Sequence, residues 1–199
     1  MFVGREAELA LLRAELRLAA TGPARRVVIE GPEGIGKTAL IRQALGDATG
    51  VRTLAASGET GERKLRFGLV RRLLPDVAGD DPWTVGQAVY EAIGRAQAAG
   101  PAAVLVDDAQ WADQPSLRAL CYAVRRLAGE RVLVLFACRD ADDPYLPAGL
   151  RRLLTGDGTR RISLQGLTVA ELARLPARAA EGATEPGGRP RGDLGGPGD

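Results

Sequence analysis

Arg26-Val27-Val28-Ile29-Glu30-Gly31-Pro32-Glu33-Gly34-Ile35-Gly36-Lys37-Thr38-Ala39 is the stretch that decides the fold. Val27-Val28-Ile29 is a β-branched apolar run, the signature of a short buried strand. It leads straight into Gly31-x-x-x-x-Gly36-Lys37-Thr38, which matches the P-loop pattern in full, and Thr38 to Leu45 reads as the helix that leaves it. The glycines let backbone N–H groups turn inward around a phosphate with no side chain in the way. The helix start aims its positive dipole end at the same anion. Lys37 can reach the β- and γ-phosphates of a nucleoside triphosphate, and the Thr38 hydroxyl can ligate Mg²⁺. The candidate nucleotide-binding residues are therefore Gly31, Pro32, Glu33, Gly34, Ile35, Gly36, Lys37, Thr38 and Ala39, with Lys37 also acting in catalysis.

About seventy residues downstream, Val104-Leu105-Val106-Asp107-Asp108 is an apolar strand that ends in two carboxylates, the Walker B arrangement. One carboxylate is needed to hold Mg²⁺ opposite Thr38. Asp107 follows the apolar run directly and takes that metal role. Asp108 is then the candidate catalytic base, which orients or deprotonates the attacking water. This division of labour rests on their order along the chain alone. A further apolar strand ends in Phe136-Ala137-Cys138-Arg139. Parallel strands bring their carboxyl ends to one crevice, so Arg139 is a third catalytic candidate, a sensor of the γ-phosphate. Cys138 reads as a packing residue, and Trp83 and Trp111 as core or partner-facing rather than nucleotide-stacking.

The remaining elements alternate. Leu9, Leu12, Leu16 and Ala19 mark one face of a first helix that Thr21-Gly22-Pro23 ends. Val51 to Ala56 is a second strand, and Arg63 to Leu74 an amphipathic helix stopped by Pro75. A longer helix runs from about Trp83 to Ala99, and Pro115 to Leu127 is another. Strands follow at 103–107, 131–137 and 161–164, with a short helix at Tyr145 to Leu154 between the last two. This alternation predicts an α/β fold, a three-layer αβα sandwich around a five-stranded parallel sheet. Thr168 with Glu171 is a capping box that opens a last helix over 168–176. The expected domain is 1–176: an N-terminal segment (1–24), a core (25–167) and that helix. Residues 177–199, rich in glycine and proline without apolar periodicity, read as a disordered tail.

With 199 residues and 45% apolar composition, the chain can bury a substantial core. A net charge of +2 gives no strong electrostatic footprint for nucleic acid or a membrane surface. Histidine is absent, which removes Ser-His and Cys-His catalytic pairs, and two distant cysteines make no disulfide framework. No signal peptide or membrane-length apolar run is present, so a reducing cytoplasm is the expected compartment. Lys37 and Lys64 are the only lysines among abundant arginines, and asparagine is missing. That bias looks like a G+C-rich bacterial genome.

Taken together, Phe2-Val3-Gly4-Arg5-Glu6, the loop from Gly31 to Thr38, Val104 through Asp113 (Val-Leu-Val-Asp-Asp-Ala-Gln-Trp-Ala-Asp) and Ala137-Cys138-Arg139 resemble the ATPase domain of the STAND branch of P-loop proteins. More narrowly, they are similar to the ATP-binding domain of large LuxR-type bacterial transcriptional regulators, often labelled AAA ATPase domains. The likeness spans roughly residues 1 to 175. It implies a sheet in the order 5-1-4-3-2, with the Arg139 strand between the P-loop strand and the Asp107 strand. It also implies adenine contacts at Val3, Gly4 and Arg5, and an ATP/ADP switch with Mg²⁺ whose slow hydrolysis resets it. Self-association in the ATP form is expected, with no membrane partner. Members of this family normally continue into a helical lid, a winged-helix module, a repeat-rich sensor and a DNA-binding helix-turn-helix. The pattern after Leu175 shows none of these. A fragment, a truncated product or a stand-alone relative is expected, with no direct nucleic-acid binding by this segment.

Two other functions compete: a module that holds nucleotide without turnover, and a small-molecule P-loop kinase. A GTPase is disfavoured, because guanine selection rests on an Asn-Lys-x-Asp motif and the chain has no asparagine.

Overall fold

The computed structural model describes residues 4–166. Five strands, β1 (Arg25–Glu30), β2 (Arg52–Ser57), β3 (Ala102–Asp107), β4 (Val132–Cys138) and β5 (Thr159–Ser163), form one parallel sheet in the order β2-β3-β4-β1-β5. This is the expected 5-1-4-3-2 order read from the other edge. β4, which Arg139 follows, lies between β1 and β3, as the resemblance implied. β3 and β4 are buried along their whole length, because helices cover both faces of the central strands.

Alternate strand residues face opposite layers. Val27, Ile29, Leu105, Leu133, Leu135 and Ala137 pack with α1 (Glu6–Thr21) and α2 (Lys37–Gly46). The predicted α1 face, Leu9, Leu12, Leu16 and Ala19, is the buried one. On the other side, Val28, Val104, Val106, Val134 and Phe136 pack with α3 (Gly68–Leu73), α4 (Pro82–Ala96), α5 (Gln114–Arg126) and α6 (Ala148–Thr155). The result is the three-layer αβα sandwich.

Two helices start later than their sequence pattern predicts, and α4 (Pro82–Ala96) ends earlier. The amphipathic run from Arg63 to Leu74 is helical only from Gly68. Phe67 adopts a left-handed conformation (φ 59°), and its N–H and that of Leu69 donate to the Asp113 carboxylate at 2.9 and 3.2 Å. A tertiary partner thus outcompetes the local ladder. Likewise Tyr145-Leu146 is a turn closed on Asp143, and α6 starts only after Pro147. Proline disfavours helical geometry in the residue before it. At its other end α4 tightens into a 3₁₀ turn over Gln97–Ala99. Val3, the helix expected at 168–176 and the tail at 177–199 lie outside the described residues.

Candidate functional site

The site forms where the carboxyl ends of β1, β3 and β4 meet the start of α2. Gly31, Gly34 and Gly36 all have positive φ (151°, 74° and 99°), which only glycine adopts without strain. At Gly31 space adds a second reason, since a Cβ there would lie 2.7 Å from the Leu164 carbonyl oxygen. Leu164 follows β5, and its N–H donates to the Glu30 carbonyl at 2.7 Å. The loop is thereby clamped between β5 and β4, because the Gly31 N–H donates to the Arg139 carbonyl at 3.2 Å.

Lys37 is 5% exposed, and its ammonium donates to the carbonyls of Gly31 (2.8 Å) and Pro32 (2.9 Å). These two bonds hold the charge across the mouth of the loop. The Thr38 hydroxyl donates to Asp107 Oδ2 at 2.7 Å, which joins the end of β3 to the start of α2 across 69 residues of sequence. Asp107 is buried, and its Oδ1 accepts the Asp108 N–H at 3.0 Å. Asp108 itself is left-handed (φ 47°) and caps a 3₁₀ turn over Ala109–Trp111. Its side chain lines a cavity of about 390 Å³ together with Glu33, Gly34, Gly36, Lys37, Thr38, Ala39 and Arg42. Asp108 therefore shares one space with the P-loop, and Asp107 lines an adjoining cavity that has Thr38 and Arg42 in common with it.

Arg139, at the end of β4, pairs with Glu33 of the loop and sits over the Trp111 ring at 4.9 Å. Arg5 is buried at the head of α1. Its guanidinium donates to Glu8 (3.2 Å) and to the Gln165 carbonyl, which brings the N-terminal segment beside the Leu164–Gly31 contact. Gly4 precedes it, with its N–H on Glu6 at 3.3 Å. Trp83 is 73% exposed and belongs to the surface, while Trp111 stacks with Arg63 and Arg139. Cys138 is fully buried, and burial first, then the nearby Glu30 and Asp140 charges, push its thiol up to about 12. It packs and presents no thiolate.

Three contributors escaped the sequence reading. Arg42 lies one helical turn beyond Thr38 and lines the same cavity, a placement that i,i+4 spacing could have flagged. Gln110 bridges Asp108 and Arg139: its Nε2 donates to Asp108 Oδ1 at 3.0 Å and its Oε1 accepts the Arg139 N–H at 3.3 Å. Asp113 caps α5 through the Ser116 N–H while also holding Phe67 and Leu69. Gln110 and Asp113 fall in the stretch after the strand-end carboxylates, but their partners are distant in sequence.

Fold and site together define a P-loop nucleotide-binding architecture. Residues 1–135 match the family model described as AAA ATPase domain, and the chain belongs to that family. No curated protein matches it significantly in sequence. Among solved structures it is similar to Cdc6p from Pyrobaculum aerophilum, with a TM-score of 0.53, 16% identity and coverage of 79% of this chain and 45% of that one. It is also similar to the Orc1 protein of Aeropyrum pernix, solved in complex with DNA, with a TM-score of 0.55, 18% identity and coverage of 94% and 52%. At such identity the likeness is one of fold, and the chain spans about half the length of these two proteins.

The family implies nucleotide and, typically, Mg²⁺, and the residues present fit both. A threonine hydroxyl and a carboxylate 2.7 Å apart are hard oxygen donors of the kind Mg²⁺ takes alongside phosphate and water. Among the described residues no group of three or more His, Cys, Asp or Glu is placed to hold a metal ion. The space beside the loop is open at Gly34 and Gly36, where a Cβ meets nothing within 4 Å. Among the described residues no helix is long and apolar enough to cross a membrane.

Proposed function

We propose that this chain is an ATP-binding, slowly hydrolysing switch domain of the STAND type found in LuxR-type regulators. The observation that carries the reading is the Thr38–Asp107 hydrogen bond, with Asp108 and Lys37 on the same cavity. The loop from Gly31 to Ala39 holds the phosphates, and Lys37 neutralises the β- and γ-phosphate charge. Thr38 and Asp107 hold Mg²⁺, which when bound offsets charge on the phosphates. Asp108 orients the attacking water and accepts its proton as the β–γ bridge breaks, giving ADP and phosphate. Arg139, released from Glu33, senses the γ-phosphate, and Gly4 and Arg5 with Val3 flank the base. Residues 1–176 form the unit, and ATP-dependent self-association is its output. DNA contact belongs to a region outside this segment, so a gel shift with this chain alone would show no band displacement.

A second cavity, about 450 Å³, shares Thr38 and Arg42 with the first and adds Thr53, Ser57 and Leu105. It gives room for an acceptor and favours keeping the kinase reading in the test. ATP and GTP titrations, with phosphate release measured with and without an added acceptor, separate the readings. Phosphate release from ATP alone upholds the switch ATPase. Transfer to a small-molecule acceptor replaces it with the kinase, and tight binding without turnover replaces it with a holding module. In Lys37→Ala we expect ATP affinity to fall by about 1.5–3 kcal/mol, roughly 10- to 150-fold in Kd. Unchanged affinity by calorimetry would remove Lys37 from the site.

A further inference from the structure

We infer that Gln110 is the positioning residue for the water-activating carboxylate, and that Arg63 is the clamp that fixes it. The inference rests on the ATPase reading above. Gln110 is 2% exposed, and three of its polar groups are bonded within the site or its support. Its amide N–H meets Asp108 Oδ1 (3.0 Å), its side-chain oxygen meets the Arg139 N–H (3.3 Å), and its main-chain carbonyl accepts from Arg63 Nε (3.0 Å) and a terminal nitrogen.

Chemistry fixes the direction of this amide. Reversed, it would set an oxygen against a carboxylate and an N–H against an N–H, losing both bonds. A single buried side chain thus sets the carboxylate at the end of β3 and the backbone at the end of β4 in one mutual arrangement. Asp108 needs such a hold. Its backbone is left-handed (φ 47°), a conformation that costs about 1–3 kcal/mol in a non-glycine residue and persists only where its surroundings enforce it.

The clamp is itself rigid. The Arg63 guanidinium lies 4.4 Å from the Trp111 ring centroid and 3.9 Å from that of Tyr145. Tyr145 in turn donates to the Ala112 carbonyl at 3.1 Å. The turn following Asp108 is therefore held from outside by a cation between two rings, and from inside by Gln110. An amide is the right group for the inner position. It donates to Asp108 without removing its charge, so the carboxylate remains free to take a proton on its other oxygen.

The test measures phosphate release from Mg²⁺·ATP and nucleotide Kd for the full chain carrying Gln110→Leu, Gln110→Glu or Asp108→Asn. Gln110→Leu removes both side-chain bonds. Gln110→Glu keeps the size and the acceptor for the Arg139 N–H but turns a carboxylate on Asp108. We expect kcat to fall by about tenfold or more in both Gln110 variants, since a misplacement near 1 Å costs up to about a hundredfold, while Kd changes by less than about threefold. If Gln110→Leu does not fold, Gln110→Glu decides alone. Parent kcat in the Gln110 variants, with turnover lost in Asp108→Asn, overturns the positioning role and leaves the ATPase reading intact. A loss of affinity as large as the loss of kcat also overturns it, because that marks a structural role. An Asp108→Asn variant at the parent rate also overturns the positioning role, because Asp108 then takes no part in turnover, and leaves the ATPase reading standing. A parent chain releasing no phosphate takes down the ATPase reading itself.

Discussion

Gly31 and Gly34 do different work in the same loop. Both have positive φ, but a Cβ on Gly31 would strike the Leu164 carbonyl, whereas one on Gly34 meets nothing within 4 Å. Gly31→Ala should therefore lower stability by about 1–3 kcal/mol, through strain and a backbone clash. Gly34→Ala should cost less stability yet still weaken ATP binding, because its methyl enters the phosphate cradle. Thermal melts beside ATP titrations of the two variants check this; equal loss of stability in both would show that the clash is relieved by movement of β5. At this scale the loop and the paired aspartates were legible in the sequence, because fixed spacing and obligatory glycine carry the chemistry. Gln110 was not, because its role depends on two partners brought together by different strands.

At the scale of elements, Asp113 shows how a turn of helix is assigned by tertiary contact. It accepts the Ser116 N–H as the cap of α5, and the Phe67 and Leu69 N–H groups at the start of α3. All of these bonds are buried. Asp113→Ala leaves several buried donors unpaired, for an expected loss of about 2–4 kcal/mol. Urea denaturation of the variant measures it, and a loss below about 1 kcal/mol would mean that water replaces the carboxylate. The same contact explains why periodicity overextended α3 to Arg63: the apolar spacing is helical, but the backbone at Phe67 is bent toward a partner 46 residues away. Where no such competitor acts, as in α1, pattern and structure agree on the buried face.

Across the whole molecule, Glu15 ties three elements together from a buried position in α1. Its carboxylate accepts from Arg25 of β1 (2.7 Å) and Arg160 of β5 (3.3 Å). Burial alone would raise its pKa, but the two guanidinium bonds outweigh it and hold the group below the ordinary value of 4.5. A carboxylate depressed in the folded state contributes stability that is fully present above its unfolded value and is lost as pH falls through the folded one. Glu15→Gln should thus cost about 1–2 kcal/mol near neutral pH. The figure is discounted from that of a fully buried pair because Arg25 and Arg160 are 38% and 53% exposed. The gap between variant and parent should close as pH drops below about 4.5. Denaturation curves at several pH values test this, and a gap that stays constant would assign Glu15 a packing role only.

The chain's own letters determined the class of architecture, the phosphate loop and the strand-end carboxylates. Strand alternation, obligatory glycine and the cation beside it are local properties, and local properties survive without coordinates. Three-dimensional folding alone decided that Thr38 and Asp107 share a hydrogen bond, that Arg139 rests on Glu33, and that an amide at position 110 holds Asp108. Each of those depends on which strands become neighbours in the sheet. Neighbourhood of that kind is set by burying two apolar faces at once, a cooperative outcome that no single segment encodes.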